Sequence, residues 1–254
     1  MRNIWIIAAR EFKQFFGSPI AYALGVLIFG FLGPIFALQL LSVSQSSSQQ
    51  VLPGQMMLGP LMTLFLFTMP AITMRLLAEE NRQGTLEILL TSPIRDAELV
   101  LGKFLGALMF STCILAVTFV FPLFLHAMTK PNGIDQGPLV SAYLIFFLLM
   151  ASLLAIGLVF SAVFANSIAA FFSSLAVSLT LWILGMVANS FYSIGSMGTS
   201  SVLEKVTQYL DFTSHFYNNA FNGKLDLQDA IYYISIIVLG LFLAIQIVHS
   251  KRWR

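Results

Sequence analysis

The side chains best suited to specific chemistry lie in residues 79–94, EENRQGTLEILLTSPI, where acids and an arginine interrupt a strongly apolar chain. Carboxylates and a guanidinium form ion pairs and charge-assisted hydrogen bonds, which is the chemistry of binding another protein. No catalytic pattern accompanies them, because the chain has no H-E-x-x-H, no G-x-S-x-G and no carboxylate pair inside an apolar run. These residues therefore predict a docking element rather than an active site.

Helix-boundary residues divide this stretch. Gly84 can end one helix, and Thr85 can serve as the N-cap of a new short helix, because its hydroxyl can accept a free backbone N–H. Pro93 ends the short helix. Asp96 can then act as the N-cap of the next long helix. The order of these residues predicts a short surface helix between two long ones.

The predicted short helix has an apolar ridge and an acidic flank. The ridge residues recur at i, i+3 and i+4 and are Leu86, Leu89 and Leu90. Such a ridge either rests on the lipid surface or fills a groove on a partner. The carboxylates of Glu79, Glu80 and Glu87 are poorly placed against an anionic inner leaflet. We therefore expect the ridge to bind a partner protein.

The rest of the chain has the composition of a membrane protein. Hydrophobic residues make up 58% of the 254 residues and charged residues only 9%, against about 25% charged in soluble domains. A helix needs about 20 apolar residues to cross a bilayer. Six stretches reach or approach that length: residues 20–41, 56–77, 99–124, 139–164, 168–194 and 231–248. The sequence thus predicts an all-α protein with six transmembrane helices in one transmembrane domain, residues 1–254.

The distribution of lysine and arginine predicts the orientation. Ten of the thirteen basic residues lie in the N-terminal segment, the 79–94 connection with its helix ends, or the C-terminal tail. The other three are Lys130, Lys205 and Lys224. Because cytoplasmic flanks retain positive charge, both termini and residues 79–94 are expected to be cytoplasmic. Arg75 and Lys103 lie near helix ends, where long side chains can reach the headgroups.

Two further segments flank the six predicted spans. Residues 2–16 predict an amphipathic helix on the membrane surface, because Trp5, Phe12 and Phe16 share one face, and the charges of its middle argue against its burial. Residues 195–230 are rich in aromatic residues and predict one or two short outer helices that rest in the membrane interface or dip into it. Membrane anchoring and contact with a substrate or an outer accessory protein are both open for that segment.

The chain carries no phosphate-binding loop of its own. Gly102-Lys103 precedes Phe104 and Gly223-Lys224 precedes Leu225, so neither completes G-x-x-x-x-G-K-[ST]. We expect no enzyme activity, no cofactor, no metal site and no nucleic-acid partner for this chain. If the protein does work, a partner must supply the energy.

Residues 79–94 resemble the coupling-helix region of permeases in the type-2 ABC exporter family. The resemblance rests on an acidic pair, then Gly-Thr-Leu-Glu, two leucines and a proline, and the predicted six-helix layout extends it over nearly the whole chain. Residues 10–12, Arg-Glu-Phe, and residues 16–22, Phe-Gly-Ser-Pro-Ile-Ala-Tyr, are similar to the branch with gliding-motility-associated permeases.

The resemblance implies a permease subunit, an exporter by family, in a bacterial inner membrane. It implies a dimer with a second permease copy or paralogue and two cytoplasmic ATPase subunits that bind ATP and Mg²⁺. It also implies that the coupling region docks on the ATPase through Glu79, Glu80, Arg82, Gly84, Thr85, Leu86, Glu87, Leu89, Leu90 and Pro93. The alternatives are a structural membrane anchor or assembly platform and an ion-coupled transporter. In a transporter that changes access to its transport path, helices could bend at three prolines, Pro34, Pro70 and Pro122. They could pack closely at three glycines, Gly25, Gly30 and Gly33.

Overall fold

The described part of the chain is helical. The computed structural model describes residues 2–45, 54–85, 94–128, 136–193, 211–217 and 226–252, and these ranges contain no β-strand. The helices are α1 (Arg2–Gly17), α2 (Pro19–Gln45), α3 (Leu58–Thr73, after a 3₁₀ turn at Gly54–Met57), α4 (Ala78–Gln83), α5 (Asp96–Thr118), α6 (Val120–Met128), α7 (Gln136–Val163), α8 (Ser167–Ser193), α9 (Ser214–Tyr217) and α10 (Leu227–Arg252).

Six helical segments in these ranges are long and apolar enough to cross a membrane. They are α2, α3 with α4, α5 with α6, α7, α8 and α10. The predicted all-α fold with six spans is confirmed. Apolar runs of this length form helices because a backbone in lipid must satisfy its own hydrogen bonds.

Helix α7 lies at the centre of the bundle. In its most apolar window, 72% of the residues are buried, whereas only 17% are buried in α2 and in α8. α7 packs along α10, where a Cβ on Gly240 would lie 3.0 Å from the Cβ of Ala155. On another side Phe146 of α7 contacts Phe65 of α3, with ring centroids 5.4 Å apart. The span with the fewest lipid-facing positions is therefore the one that joins the others.

Proline interrupts one of the three helices in which a bend was predicted. Pro122 has no N–H to give to the carbonyl of Thr118, and the helix breaks just before it, at Phe119. The Tyr143 hydroxyl, on α7, donates instead to the Thr118 carbonyl at 3.4 Å. Pro34 and Pro70 lie inside the single helices α2 and α3. The predicted bend thus coincides with a helix break only at Pro122.

Within one chain, the predicted glycines do not bring helices together. A Cβ on Gly25, Gly30 or Gly33 would meet no atom within 4 Å among the described residues of this chain. These glycines lie on α2, which is largely unpacked within one chain, so close packing at them stays a prediction about contacts with a second chain. Close contacts occur instead at Gly102, Gly106, Gly157 and Gly240.

Aromatic residues of the outer segment pack inside the protein. Phe212 and Phe216 are buried, with Phe212 against Tyr233 of α10 and Phe216 against Phe146 of α7. These two side chains therefore pack against the spans, and the position of the outer segment in the membrane interface stays a prediction. Residues 202–210, predicted to form an outer helix, lie outside the described residues.

Candidate functional site

Both ends of the chain meet the beginning of α5, beside the connection from α4. At the N-terminal end, the Asn3 side-chain amide donates to the Glu98 carboxylate at 3.1 Å. At the C-terminal end, the Asp96 carboxylate lies 2.9 Å from His249 Nδ1 and 3.0 Å from Arg252 Nη1. One end of the bundle therefore holds residues near both termini and the start of α5, which follows the predicted coupling region.

The start of α5 differs by one residue from the prediction. Arg95 occupies the N-cap position, and its backbone N–H donates to the Glu98 carboxylate at 3.3 Å. Asp96 is the first helical residue, and its carboxylate is nearly buried between the His249 and Arg252 side chains of α10. The prediction that Asp96 is the N-cap is wrong, because its charge holds α10 instead.

Helix α1 packs closely on α5 through two glycines one turn apart. A Cβ on Gly102 would lie 2.7 Å from the Cβ of Ile7, and a Cβ on Gly106 would lie 2.6 Å from the Cβ of Glu11. Small residues four positions apart let two helix backbones approach in this way. α1 thus has one face against protein, while Trp5 remains exposed.

Glu11 and Lys103 are buried, contrary to expectation. The charges in the middle of α1 argued against its burial, and Lys103 was expected to reach the headgroups. Instead the Lys103 side chain is only 2% exposed, and its ammonium lies 2.7 Å from the Glu11 carboxylate. Each charge is tolerated in the interior because the other neutralises it.

A second carboxylate completes a buried ionic cluster. Lys103 Nζ also lies 2.7 Å from Glu80 Oε1, and Glu80 belongs to α4. The three side chains, Glu11, Lys103 and Glu80, are called the charge triad below. Two carboxylates share one ammonium, and the other oxygen of Glu80 is buried without a hydrogen-bond partner among the described residues. The triad ties α1, α4 and α5 together at one point.

An open cavity of about 200 Å³ adjoins the charge triad. Besides the triad it is lined by α1 and by the end of α3 with the beginning of α4, including Gln14, Arg75, Glu79 and Gln83. No three His, Cys, Asp or Glu side chains in the described ranges are grouped as metal ligands. The lining of the cavity thus combines acidic and basic side chains with the amide side chains of Gln14 and Gln83.

The exposed charges of α4 pair within their own helix region. The Glu79 carboxylate lies 3.7 Å from Arg75 Nε and 3.8 Å from Arg82 Nη2. Exposed pairs at this spacing stabilise a helix by only about 0.3–0.5 kcal/mol. Glu79 and Arg82 are therefore available to a partner surface at little cost to the fold.

Gly84 and Thr85 close α4. Gly84 ends the helix in the left-handed conformation, with φ of 71°, as its predicted helix-ending role requires. The Thr85 hydroxyl donates to the Glu80 carbonyl at 3.3 Å, so it satisfies the C-terminal end of α4. The other predicted docking residues, Leu86, Glu87, Leu89, Leu90 and Pro93, lie outside the described residues.

Sequence reasoning assigned Glu80 to the site but missed its partners. Glu11 and Lys103 are 92 residues apart, so no local pattern links them. One available signal was the five-residue run from Gly102 to Gly106, which has the small-x-x-x-small spacing of a close helix contact. Recognising that contact would have placed Lys103 beside another helix instead of at the headgroups.

Comparison with known proteins identifies the family. The profile described as ABC-2 family transporter protein matches residues 5–250, nearly the whole chain. A search of curated proteins found no match. The family is one of membrane-spanning permeases, and membership implies a cytoplasmic ABC ATPase as partner. With its six apolar helices, this chain is a multi-pass membrane protein that belongs to the ABC-2 transporter family.

Proposed function

We propose that this permease is driven by a separate ABC ATPase that docks on residues 79–94 and that it works as an exporter. ATP and Mg²⁺ bind to the ATPase, and closure of the ATPase subunits moves the docked segment. The residues assigned to docking are those of α4 and of the Leu86, Leu89 and Leu90 ridge, with Pro93 at its end. Within the family we assign the chain to the branch of gliding-motility-associated permeases, on residues 10–12 and 16–22.

The charge triad is the observation that carries this proposal. Glu80 lies at the beginning of the docking segment, and Lys103 joins it to both α5 and α1. A buried ion pair with both partners held at 2.7 Å resists separation, because each charge would be left without compensation in the interior. A displacement of the docked segment would therefore move α1 and α5 with it.

A second copy or a paralogue is the proposed partner within the membrane. α2 and α8 both pack against α3 and bury little of their own surface within one chain. Their exposed residues include Tyr22, Phe31, Ile168 and Phe172. Two helices with unburied apolar faces, both packed on α3, provide a surface for a dimer, with the transport path between the two permeases. An outer accessory protein is also proposed.

We further propose that the protein lies in a bacterial cytoplasmic membrane with both termini in the cytoplasm. The contacts of Asn3 and Arg252 with the start of α5 put the two termini at one end of the bundle. Nine of the ten basic residues that the sequence assigns to the cytoplasmic side lie within the described ranges, in α1, in the segment from the end of α3 to the first turns of α5, and in the last turn of α10. The orientation follows from the retention of positive charge on the cytoplasmic side.

The test is to change the apolar ridge and measure coupling. Leu86→Asp and Leu89→Asp place a charge where the ATPase groove is expected to receive a leucine. We expect each variant to insert normally but to lose both copurification of the ATPase and permease-dependent ATP hydrolysis. Leu227→Asp is the matched control, because Leu227 is an exposed leucine at the opposite end of the bundle.

The outcomes separate the proposal from its alternatives. Ridge variants that retain ATPase binding and ATP hydrolysis would show that residues 79–94 are not the docking segment. A wild-type permease with no nucleotide-dependent activity would favour a structural anchor. Substrate movement that follows an ion gradient without the ATPase would favour a secondary transporter.

A further inference from the structure

A break between α3 and α4 releases two backbone amides. α3 ends at Thr73 and α4 begins at Ala78. In one continuous helix, the N–H of Leu77 would bond to the Thr73 carbonyl and that of Ala78 to the Met74 carbonyl. The Thr73 carbonyl instead accepts from the N–H of Leu76, at 3.0 Å. The amides of Leu77 and Ala78 therefore need partners from elsewhere.

Ser161 of α7 satisfies both amides. Its hydroxyl oxygen accepts from Leu77 N at 3.0 Å and from Ala78 N at 3.1 Å. All three residues are buried, so water does not replace these bonds. Leu77 is the N-cap of α4 and has no side chain that could accept a hydrogen bond. Ser161 thus does for α4, from a different span, what an N-cap serine does for its own helix.

The same helix also fixes the end of α3, one turn away from Ser161. A Cβ on Gly157 would lie 2.8 Å from the Cβ of Thr73 and would overlap its hydroxyl. That hydroxyl donates to the carbonyls of Met69 and Pro70 at 3.1 and 3.2 Å. α7 therefore contacts both sides of the break, through Gly157 before it and through Ser161 after it.

We propose that Ser161 is a positioning residue for coupling. Ser161 fixes the direction in which α4 leaves the bundle, and the docking segment continues from α4. Because its hydroxyl binds the first amides of α4, a movement of α4 also moves α7. The inference rests on the proposed function, because it concerns how movement of the docking segment reaches the spans. It adds a second route: besides the charge triad, which leads to α1 and α5, Ser161 leads to α7. The contact between Ala155 and Gly240 then carries the movement to α10.

The experiment uses Ser161→Ala in the complete permease–ATPase complex in lipid nanodiscs. Hydrogen exchange is measured for residues 76–83, and ATP hydrolysis is measured for the same complex. Loss of the cap leaves two amides unsatisfied, and we expect their exchange to accelerate about tenfold. We also expect the complex to retain the ATPase but to lose permease-dependent ATP hydrolysis, because α4 no longer has a fixed direction.

Two further variants control for a general loss of stability. Ser152→Ala removes another fully buried hydroxyl from α7, one that donates to the Leu149 carbonyl of its own helix at 2.7 Å. This variant is expected to keep wild-type exchange in residues 76–83 and wild-type hydrolysis. Ser161→Thr keeps a hydroxyl at the cap and is expected to restore both readouts.

Each contrary outcome refutes a different statement. Unchanged exchange in residues 76–83 of Ser161→Ala would overturn the capping role. Accelerated exchange with full ATP hydrolysis would overturn the role in coupling. Equal losses of hydrolysis in the Ala and Thr variants, with wild-type exchange in the latter, would show that the hydroxyl is not the cause. If the wild-type permease binds no ATPase, the proposed function fails, while exchange still decides whether Ser161 caps α4.

Discussion

Replacing Lys103 with methionine tests whether the charge triad holds α1 and α4 on α5. Methionine keeps an unbranched side chain in the buried position but removes the ammonium. Glu11 and Glu80 would then be left close together with no positive partner, since both lie 2.7 Å from the same nitrogen. The variant is therefore expected to be less stable at the end of the bundle that carries α4 and the proposed docking segment.

The expected loss follows from the burial of the two pairs. Breaking a buried ion pair by removing one partner costs about 3–5 kcal/mol, because an uncompensated charge is left behind. The Glu11 side chain is 11% exposed and that of Glu80 is 22% exposed, so water compensates part of the second charge. We expect about 3–5 kcal/mol for Lys103→Met, most of it from Glu11. Such a loss is a large fraction of the roughly 5–15 kcal/mol that stabilises a typical fold.

The assay combines equilibrium unfolding with hydrogen exchange in α1. Lys103→Met is expected to lower the free energy of unfolding and to accelerate exchange in residues 2–17 more than in α10. The control is the triple variant Glu11→Met, Glu80→Met, Lys103→Met, which removes all three charges and leaves apolar side chains. Replacing a complete buried ion pair or triad by well-packed hydrophobic residues of similar volume is often neutral or stabilising. The triple variant is therefore expected to recover most of the loss.

Two results would refute this reasoning. A Lys103→Met variant with wild-type stability and wild-type exchange in α1 would mean that the triad does not hold these helices together. A triple variant as unstable as the single variant would mean that the loss comes from packing of the lysine stem rather than from uncompensated charge. Either result would remove the physical support for transmission through Glu80.

Three further predictions concern the contacts around this end of the bundle and the break in the third span. Gly106→Ala is expected to weaken the α1–α5 contact by about 1–3 kcal/mol through overpacking, which would be measured as faster hydrogen exchange in α1. Gly25 has open space around it within this chain, so the control variant Gly25→Ala should leave hydrogen exchange in α1 unchanged. Asp96→Asn is expected to speed hydrogen exchange in the last turn of α10. The free energy of unfolding should fall by less than about 1 kcal/mol, because His249 and Arg252, the partners of Asp96, are partly exposed. Unchanged hydrogen exchange would contradict the pairing. Tyr143→Phe should cost about 1 kcal/mol of unfolding free energy, since the Thr118 carbonyl loses its donor, and an unaltered value would show that this 3.4 Å bond contributes nothing.

The six spans could be predicted because each depends on its own residues. A run of about 20 apolar residues crosses a bilayer as a helix whatever its neighbours are. Gly84 is a similar case, because the left-handed end of a helix favours glycine locally. Features that depend on one segment alone could therefore be predicted from the sequence.

Features that depend on contacts between distant segments could not be predicted from the sequence. Lys103 has the long apolar stem of a residue that reaches the headgroups, and only the fold brings Glu11 to it. Gly33 and Gly157 are both glycines in apolar helices, but among the described residues of one chain only Gly157 meets another helix. Ser161 is one of several serines in the spans, and its role depends on the break between α3 and α4. Helix packing decides these roles, and composition does not encode it.

The charge triad also constrains the order in which the protein can be assembled. α1 precedes α5 in the chain, and Lys103 is 92 residues beyond Glu11. During synthesis, α1 therefore has no partner for its carboxylate until the third span has been inserted. The contact between Asp96 and His249 forms later still, because the two residues are 153 positions apart in the chain. Insertion of the first two spans alone should leave α1 at the membrane surface, where its Glu11 is hydrated, and its docking on α5 would mark the completion of the third span.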